Sequence, residues 1–68
     1  MRRSPVTSEA MRSVGYEGTV LEIEFADSDV YRYFEVPEFE YLGLIHAESM
    51  GGYFAEHIRD AYRFTRVG

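Results

Sequence analysis

Three groups of residues in this chain have the types and spacing to do chemistry, and the chemistry they suit is binding. The first is Tyr31-Arg32-Tyr33. In a strand, the period of two places both rings on one face and the guanidinium on the other. Rings on a sheet form a platform on which bases stack at roughly 1–3 kcal/mol each. The competing reading packs both rings on Leu21, Ile23 and Phe25, with only the hydroxyls reaching polar partners. A chain this short has few other residues to fill its interior, so the core is the expectation, leaving Arg32 and Phe34 exposed on the other face. The second group is Ser49-Met50-Gly51-Gly52-Tyr53. Its glycines would let backbone N–H groups approach a phosphate or carboxylate at a helix start, or simply let two helices fold back on each other. The third is Arg59 and Arg63, which share a face if the helix reaches that far, and could clamp phosphate or complement the helix C-terminus.

Catalysis is quickly bounded. His46 and His57 lack metal-ligand spacing and there is no cysteine, so neither a zinc site nor any other metal or cofactor is expected. Glu56, His57 and Asp60 lie about one helical turn apart, but charged helix faces are ordinary. Ser49 has no adjacent base and no nucleophile elbow. Glu22 and Glu24 read as alternate residues on a solvated strand face, repelling one another in water. The protein is expected not to be an enzyme.

Positioning these groups falls to 68 residues, enough for one domain spanning 1–68, with residues 1–5 read as an N-terminal tail. Six Tyr and five Phe must supply most of its core. Without disulfides, self-association is the usual remaining support for so small a domain, and a homo-oligomer is expected. No signal-peptide or membrane-spanning run is present, so the protein is expected to be soluble, cytoplasmic and free of the membrane. The net charge of −5 disfavours a long polyanion. Its distribution is uneven: Arg2, Arg3 and Arg12 lie near one end and Arg59, Arg63 and Arg66 near the other, while Arg32 is the one cation of an acidic middle. If the termini meet, the surface is polarised. All seven cations are Arg, which suits bidentate phosphate contacts and stacking on rings, and is also what a GC-rich genome would encode.

The expected fold class is α+β: a three-stranded antiparallel meander followed by two short helices, with either a short C-terminal strand or an extended tail after them. Ser8–Val14 reads as an edge strand, with Gly15 a turn or bulge. Leu21, Ile23 and Phe25 alternate with Glu22 and Glu24 in the second strand, Ala26-Asp27-Ser28-Asp29 makes a hairpin turn, and Val30–Val36 is the third strand. Pro37 fits the first position of a helix running to Ala47, with Glu38 and Glu40 in its first turn. That helix is apolar on more than one side. Ser49 is the N-cap of the second, where Phe54, Ile58, Ala61 and Tyr62 form a face. Arg63–Val67 alternates again.

Taken together, Tyr31-Arg32-Tyr33, Val36-Pro37, Ala47-Glu48-Ser49-Met50-Gly51-Gly52-Tyr53-Phe54, Ile58-Arg59 and Tyr62 resemble the KTSC domain, with Gly15-Tyr16 and the Leu21–Phe25 strand ahead of them. The likeness covers roughly Val6 to Val67. It departs at Ala55, where the family usually has Asn, and at Asp27-Ser28-Asp29, where it commonly has Gly. The domain takes its name from the C-terminus of some lysyl-tRNA synthetases, and that context implies RNA. Tyr53 and Tyr62 complete the candidate ligand contacts. The expected function is therefore a non-catalytic module binding a nucleotidic ligand, either short single-stranded RNA or a small nucleotide. The alternative is an interaction or structural module that self-associates through aromatic residues.

Overall fold

A computed structural model describes residues 1–68. Its sheet is an antiparallel meander of five strands in sequence order: β1 (Ser4–Pro5), β2 (Met11–Glu17), β3 (Val20–Phe25), β4 (Val30–Tyr33) and β5 (Phe64–Arg66). The three expected strands form its centre. The alternation at Arg63–Val67 does yield the closing strand, and Ser4-Pro5, read above as tail, is a strand paired with β2. β2 begins later than expected and runs straight through Gly15, with its bulge at Arg12 instead. The chain turns after Glu17, where Gly18 takes φ +63°. The Asp27-Ser28-Asp29 turn forms as expected: the Asp29 N–H donates to Asp27 Oδ1 at 3.0 Å, and Ser28 holds φ +76°.

β4 ends at Tyr33, before the expected Val36, because Glu35 turns the chain with φ +57°. The turn is held from both sides. The Val36 N–H donates to the Thr19 carbonyl at 2.8 Å, and Tyr16 Oη donates to the Val36 carbonyl at 2.6 Å. Pro37 is the residue before helix α1 (Glu38–His46), one position earlier than read. Ser49 caps α2 (Met50–Tyr53), its Oγ accepting from the Gly52 N–H at 3.0 Å. A π turn, Phe54–Ile58, follows directly and ends the helix, the Arg59 N–H donating to the Phe54 carbonyl at 2.9 Å.

Helices cover one face of the sheet. Between them and the strands lie Met11, Val14, Leu21, Ile23, Tyr33, Val36, Leu44, Met50, Phe54 and Ile58, all buried. Phe54 and Ile58 hold the expected inward face, and Tyr62, beyond the end of the helix, still packs against the same core, whereas Ala61 is exposed. The outer side of α1 meets nothing: Phe39 is 68% and Leu42 41% exposed.

The opposite face of the sheet carries no helix, and register aligns a row of residues across it. Gly15 lies opposite Glu22, Glu22 opposite Arg32, and Arg32 opposite Thr65, while the β1–β2 register continues to bring Arg3 against Gly15. The two termini therefore occupy opposite edges of the sheet, not one common edge, yet both contribute cations to this face. Gly15 is needed there because a Cβ would strike the Arg2 carbonyl oxygen and sit 3.1 Å from Arg3 Cγ. Gly15→Ala should lower the stability of the chain by about 1–3 kcal/mol, the range for overpacking. Its urea midpoint should fall by roughly 1 M or more. An unchanged midpoint would show that the Arg2-Arg3 segment does not lie across Gly15.

Candidate functional site

The helix-free face is organised around Glu22, which is 2% exposed. Its Oε1 accepts from Arg32 Nε at 2.6 Å and its Oε2 from Arg3 Nη1. Arg3 Nε donates to Ser13 Oγ at 2.9 Å, and Ser13 Oγ donates to Glu24 Oε1 at 2.9 Å. Glu22 and Glu24 are thus not a mutually repelling solvated pair: each has its own donors, and Glu22 is sealed beneath two guanidinium groups. Burial alone would push the Glu22 carboxyl up, but hydrogen bonds from Arg32 and Arg3, together with their charges, outweigh it and hold the group below its ordinary 4.5. Arg32 is accordingly not a free surface cation. Its Nε is fixed to Glu22, and its terminal nitrogens make no bond within the chain.

Arg59 and Arg63 do not form the helical pair, because the helix ends at Ile58. Arg59 lies 3.6 Å from Asp60 and close enough to Tyr33 to oppose the rise in that hydroxyl's pKa. Arg63 immediately precedes β5, where the Phe34 N–H donates to its carbonyl at 2.9 Å, and its guanidinium stands 5.4 Å from the centroid of the half-buried Phe34 ring. The register makes Arg63 a diagonal neighbour of Arg32 on the helix-free face. The strand ladder, not a helix, brings two candidate cations together.

Tyr31 and Tyr33 point to the helical side as expected. Tyr33 is buried, its ring 5.4 Å from Phe54 in an edge contact, and burial, then Tyr31, push its hydroxyl up to about 12. The half-buried Tyr31 packs edge-on to Phe25 and at 5.8 Å against Phe64, which is 53% exposed. Tyr33 therefore offers no stacking surface.

The Ser49–Tyr53 segment has its own internal reasons for its residue types. A Cβ on Gly51 would stand 3.0 Å from that of Ala10, so the glycine lets α2 approach the start of β2. Ser49 Oγ already takes the Gly52 N–H. The neighbouring cleft, of about 620 Å³, is lined by Thr7, Ser8, Glu9, Glu48, Ser49 and Gly51 among others, and its two carboxylates oppose an anion there. Tyr53 and Tyr62 are engaged as well: their hydroxyls donate to the two oxygens of buried Glu40, at 2.6 and 3.0 Å. Tyr53 also stacks on His57 with centroids 4.3 Å apart, and its ring fills the space that a side chain at Gly43 would need. The hydrogen bond to Glu40, then burial, raises the Tyr53 pKa to about 12, while burial, then the same carboxylate, raises that of Tyr62. Glu22 and Glu40 are the residues that sequence reasoning missed. Glu40 lies one turn from Leu44, and that shared inward stripe was the available signal.

No group of three His, Asp or Glu side chains lies close enough to hold a metal ion, and no helix is long and apolar enough to cross a membrane. Fold and site together define a small α+β module with one helix-covered face and one arginine-bearing open face. Residues 7–62 match the KTSC domain, and the chain belongs to that family. It is 36% identical to an uncharacterized protein of Stutzerimonas stutzeri (strain A1501) over 70 residues, 98% of this chain and 99% of that one. It is also similar to the crystal structure of a KTSC domain protein from Yersinia pestis, with a TM-score of 0.94 and 32% identity, covering 98% of this chain and 97% of that one.

Two pH responses follow from the buried carboxylates. Because the folded state holds Glu22 below its unfolded value, its contribution to stability is complete above that value and is lost as pH falls through the folded pKa. Glu22→Gln should flatten the acid limb of a plot of urea midpoint against pH, and an unchanged limb would count against the buried ion pairs. On the alkaline side, the difference in phenolate absorbance at 295 nm between the chain with and without Tyr53→Phe should isolate a Tyr53 step near 12, separate from that of Tyr33, which is raised as far. Glu40→Gln should move that step toward 10.0, the ordinary value. A step that stays in place would mean Glu40 is not the acceptor.

Proposed function

We propose that this protein is a non-catalytic binding module for a nucleotidic ligand, a small nucleotide or a short single-stranded RNA, taken on the helix-free face of the sheet. The observation that carries the reading is the pairing of Arg32 and Arg63 as diagonal neighbours beside Phe34. Arg63 has no carboxylate partner, and Arg32 spends only its Nε on Glu22, so both keep donors for phosphate. Glu22 fixes the Arg32 side chain in advance, which lowers the ordering cost of binding. The Arg63–Phe34 stack presents a flat cationic plane of the kind on which a base can lie.

The net charge of −5 does not oppose a ligand of few phosphates. Glu40 is inside the domain, and Glu9 and Glu48 line the cleft beside α2. A site with about two phosphate contacts on a single strand has a salt slope near −1.4, so affinity should fall about sevenfold between 50 and 200 mM salt. Fluorescence anisotropy with a labelled uridine hexamer and with a nucleotide panel, at those two salt concentrations, tests the reading. Arg63→Ala should weaken binding about tenfold and reduce the slope by about 0.7, with the fold intact because Arg63 holds no ion pair. Absence of binding by the unmodified chain to either class would end the proposal.

A further inference from the structure

The two edges of the sheet are built differently. At β1 the edge strand is two residues long and contains Pro5, which has no N–H to offer, and the N-terminal residues continue over the neighbouring strand. The β5 edge is one residue longer and contains no proline. Its pairing with β4 uses the backbone groups of Arg63, which accepts from the Phe34 N–H, and by alternation those of Thr65. Phe64 and Arg66 therefore turn their N–H and C=O groups outward, and all three residues of the strand are exposed. Arg66, the charge that would ordinarily repel an incoming strand, is held to one side by Asp29, to which its Nη2 donates at 2.9 Å in an exposed pair.

We infer that β5 pairs antiparallel with β5 of a second copy of this chain, about a two-fold axis at Thr65, to make one continuous sheet. Parity selects this register. Only residues with outward groups can form hydrogen-bonded pairs across the edge, so a symmetric pairing is centred on Phe64, Thr65 or Arg66. A centre at Arg66 opposes two cations, and a centre at Phe64 forms one such pair. A centre at Thr65 forms two, each placing Arg66 of one copy opposite Phe64 of the other, a cation beside a ring that is 53% exposed. The rival surface, Phe39 and Leu42 on α1, is flanked by the exposed carboxylates of Glu35 and Glu38, which a symmetric contact would bring together.

The same axis lengthens the row on the helix-free face. Arg32 lies opposite Thr65, and across the axis the order continues through the partner's Thr65 to the partner's Arg32. At the usual strand spacing the two Arg32 Cα positions are about 14 Å apart. A ligand with separated phosphates could then touch both copies. The dimer is inferred from the edge alone and stands whether or not a nucleotidic ligand binds.

The chain has no cysteine, so one introduced thiol is unambiguous. The axis makes the two Thr65 residues a non-hydrogen-bonded antiparallel pair with Cβ atoms about 4.5–5.5 Å apart, close to disulfide geometry. Under mild oxidation at about 10 μM, Thr65→Cys should form covalent dimer at least about tenfold faster than Leu42→Cys. Light scattering of the unmodified chain at about 100 μM, without nucleotide, should give twice the monomer mass of 7.9 kDa. Equal or slower cross-linking of Thr65→Cys overturns the inference, as does a monomer mass for the unmodified chain. Either failure leaves the ligand-binding measurements standing on their own.

Discussion

The burial of one charge, that of Glu22, constrains much of the rest of the fold. Removing a carboxylate from water costs several kcal/mol even after relaxation, and attraction to partners offsets this only when geometry is good and the lone pairs are satisfied. Here both oxygens are satisfied, by Arg32 on the adjacent strand and by Arg3 on the far side of β2. Arg3 reaches Glu22 only because the residue between them in the row is Gly15. This one requirement explains why a glycine is tolerated inside a strand, where it would ordinarily weaken the ladder. It also explains why the first residues of the chain pack on the domain, and why the cations at the two ends of the sequence, though on opposite edges, serve the same face.

Glu40 poses the same problem on the helical side and receives a different solution. Two neutral tyrosine hydroxyls satisfy it in place of two cations. The choice fits its surroundings: α1 itself carries no arginine, and phenols bring ring area as well as a donor. In a domain with so small an interior, a side chain that both fills space and satisfies a carboxylate does two jobs. The ring contacts of Phe25, Tyr31, Tyr33, Phe54 and Phe64 apply the same economy at the other end of the core, as edge-on or tilted pairs with centroids 5.2–5.8 Å apart, apart from Tyr31 with Tyr33 at 6.5 Å.

The pattern of strands and helices was legible in the sequence because it rests on period and on local chemistry. Alternation marked β3 and β4, Ser49 marked the start of α2, and Asp27-Ser28-Asp29 marked the hairpin. The Tyr31/Arg32/Tyr33 division between faces was legible for the same reason. What could not be read was anything that depended on which strands pair in which register. Ser4-Pro5 looks like a tail because an edge strand of two residues has no period. Gly15 looks like a turn because the reason for a bare position lies in Arg2 and Arg3, remote in sequence. Arg59 and Arg63 look like a helical pair because the π turn that ends the helix at Ile58 leaves no mark in composition. The pairing that does form, Arg32 with Arg63, depends on the order β4–β5, a contact between distant segments.

Register also decides which of the two faces suits an anionic ligand. A helix start with adjacent glycines is often associated with phosphate, yet here Gly51 and Gly52 are explained by close packing and by the Ser49 cap, and carboxylates share their cleft. On the open face Glu22 is held by two guanidinium groups and Glu24 by the Ser13 hydroxyl, and the donor capacity left directed outward is that of the terminal nitrogens of Arg32, and of Arg63 on its ring. Neutralising a cation usually weakens it as an anion site. Glu22 does so only in part, because it holds Arg32 through Nε and leaves the far edge of the guanidinium unengaged. A buried carboxylate that fixes a cation in place while leaving its outer donors free is a way to build a positive site on an acidic protein, and it requires the sheet, the glycine and the N-terminal segment all at once.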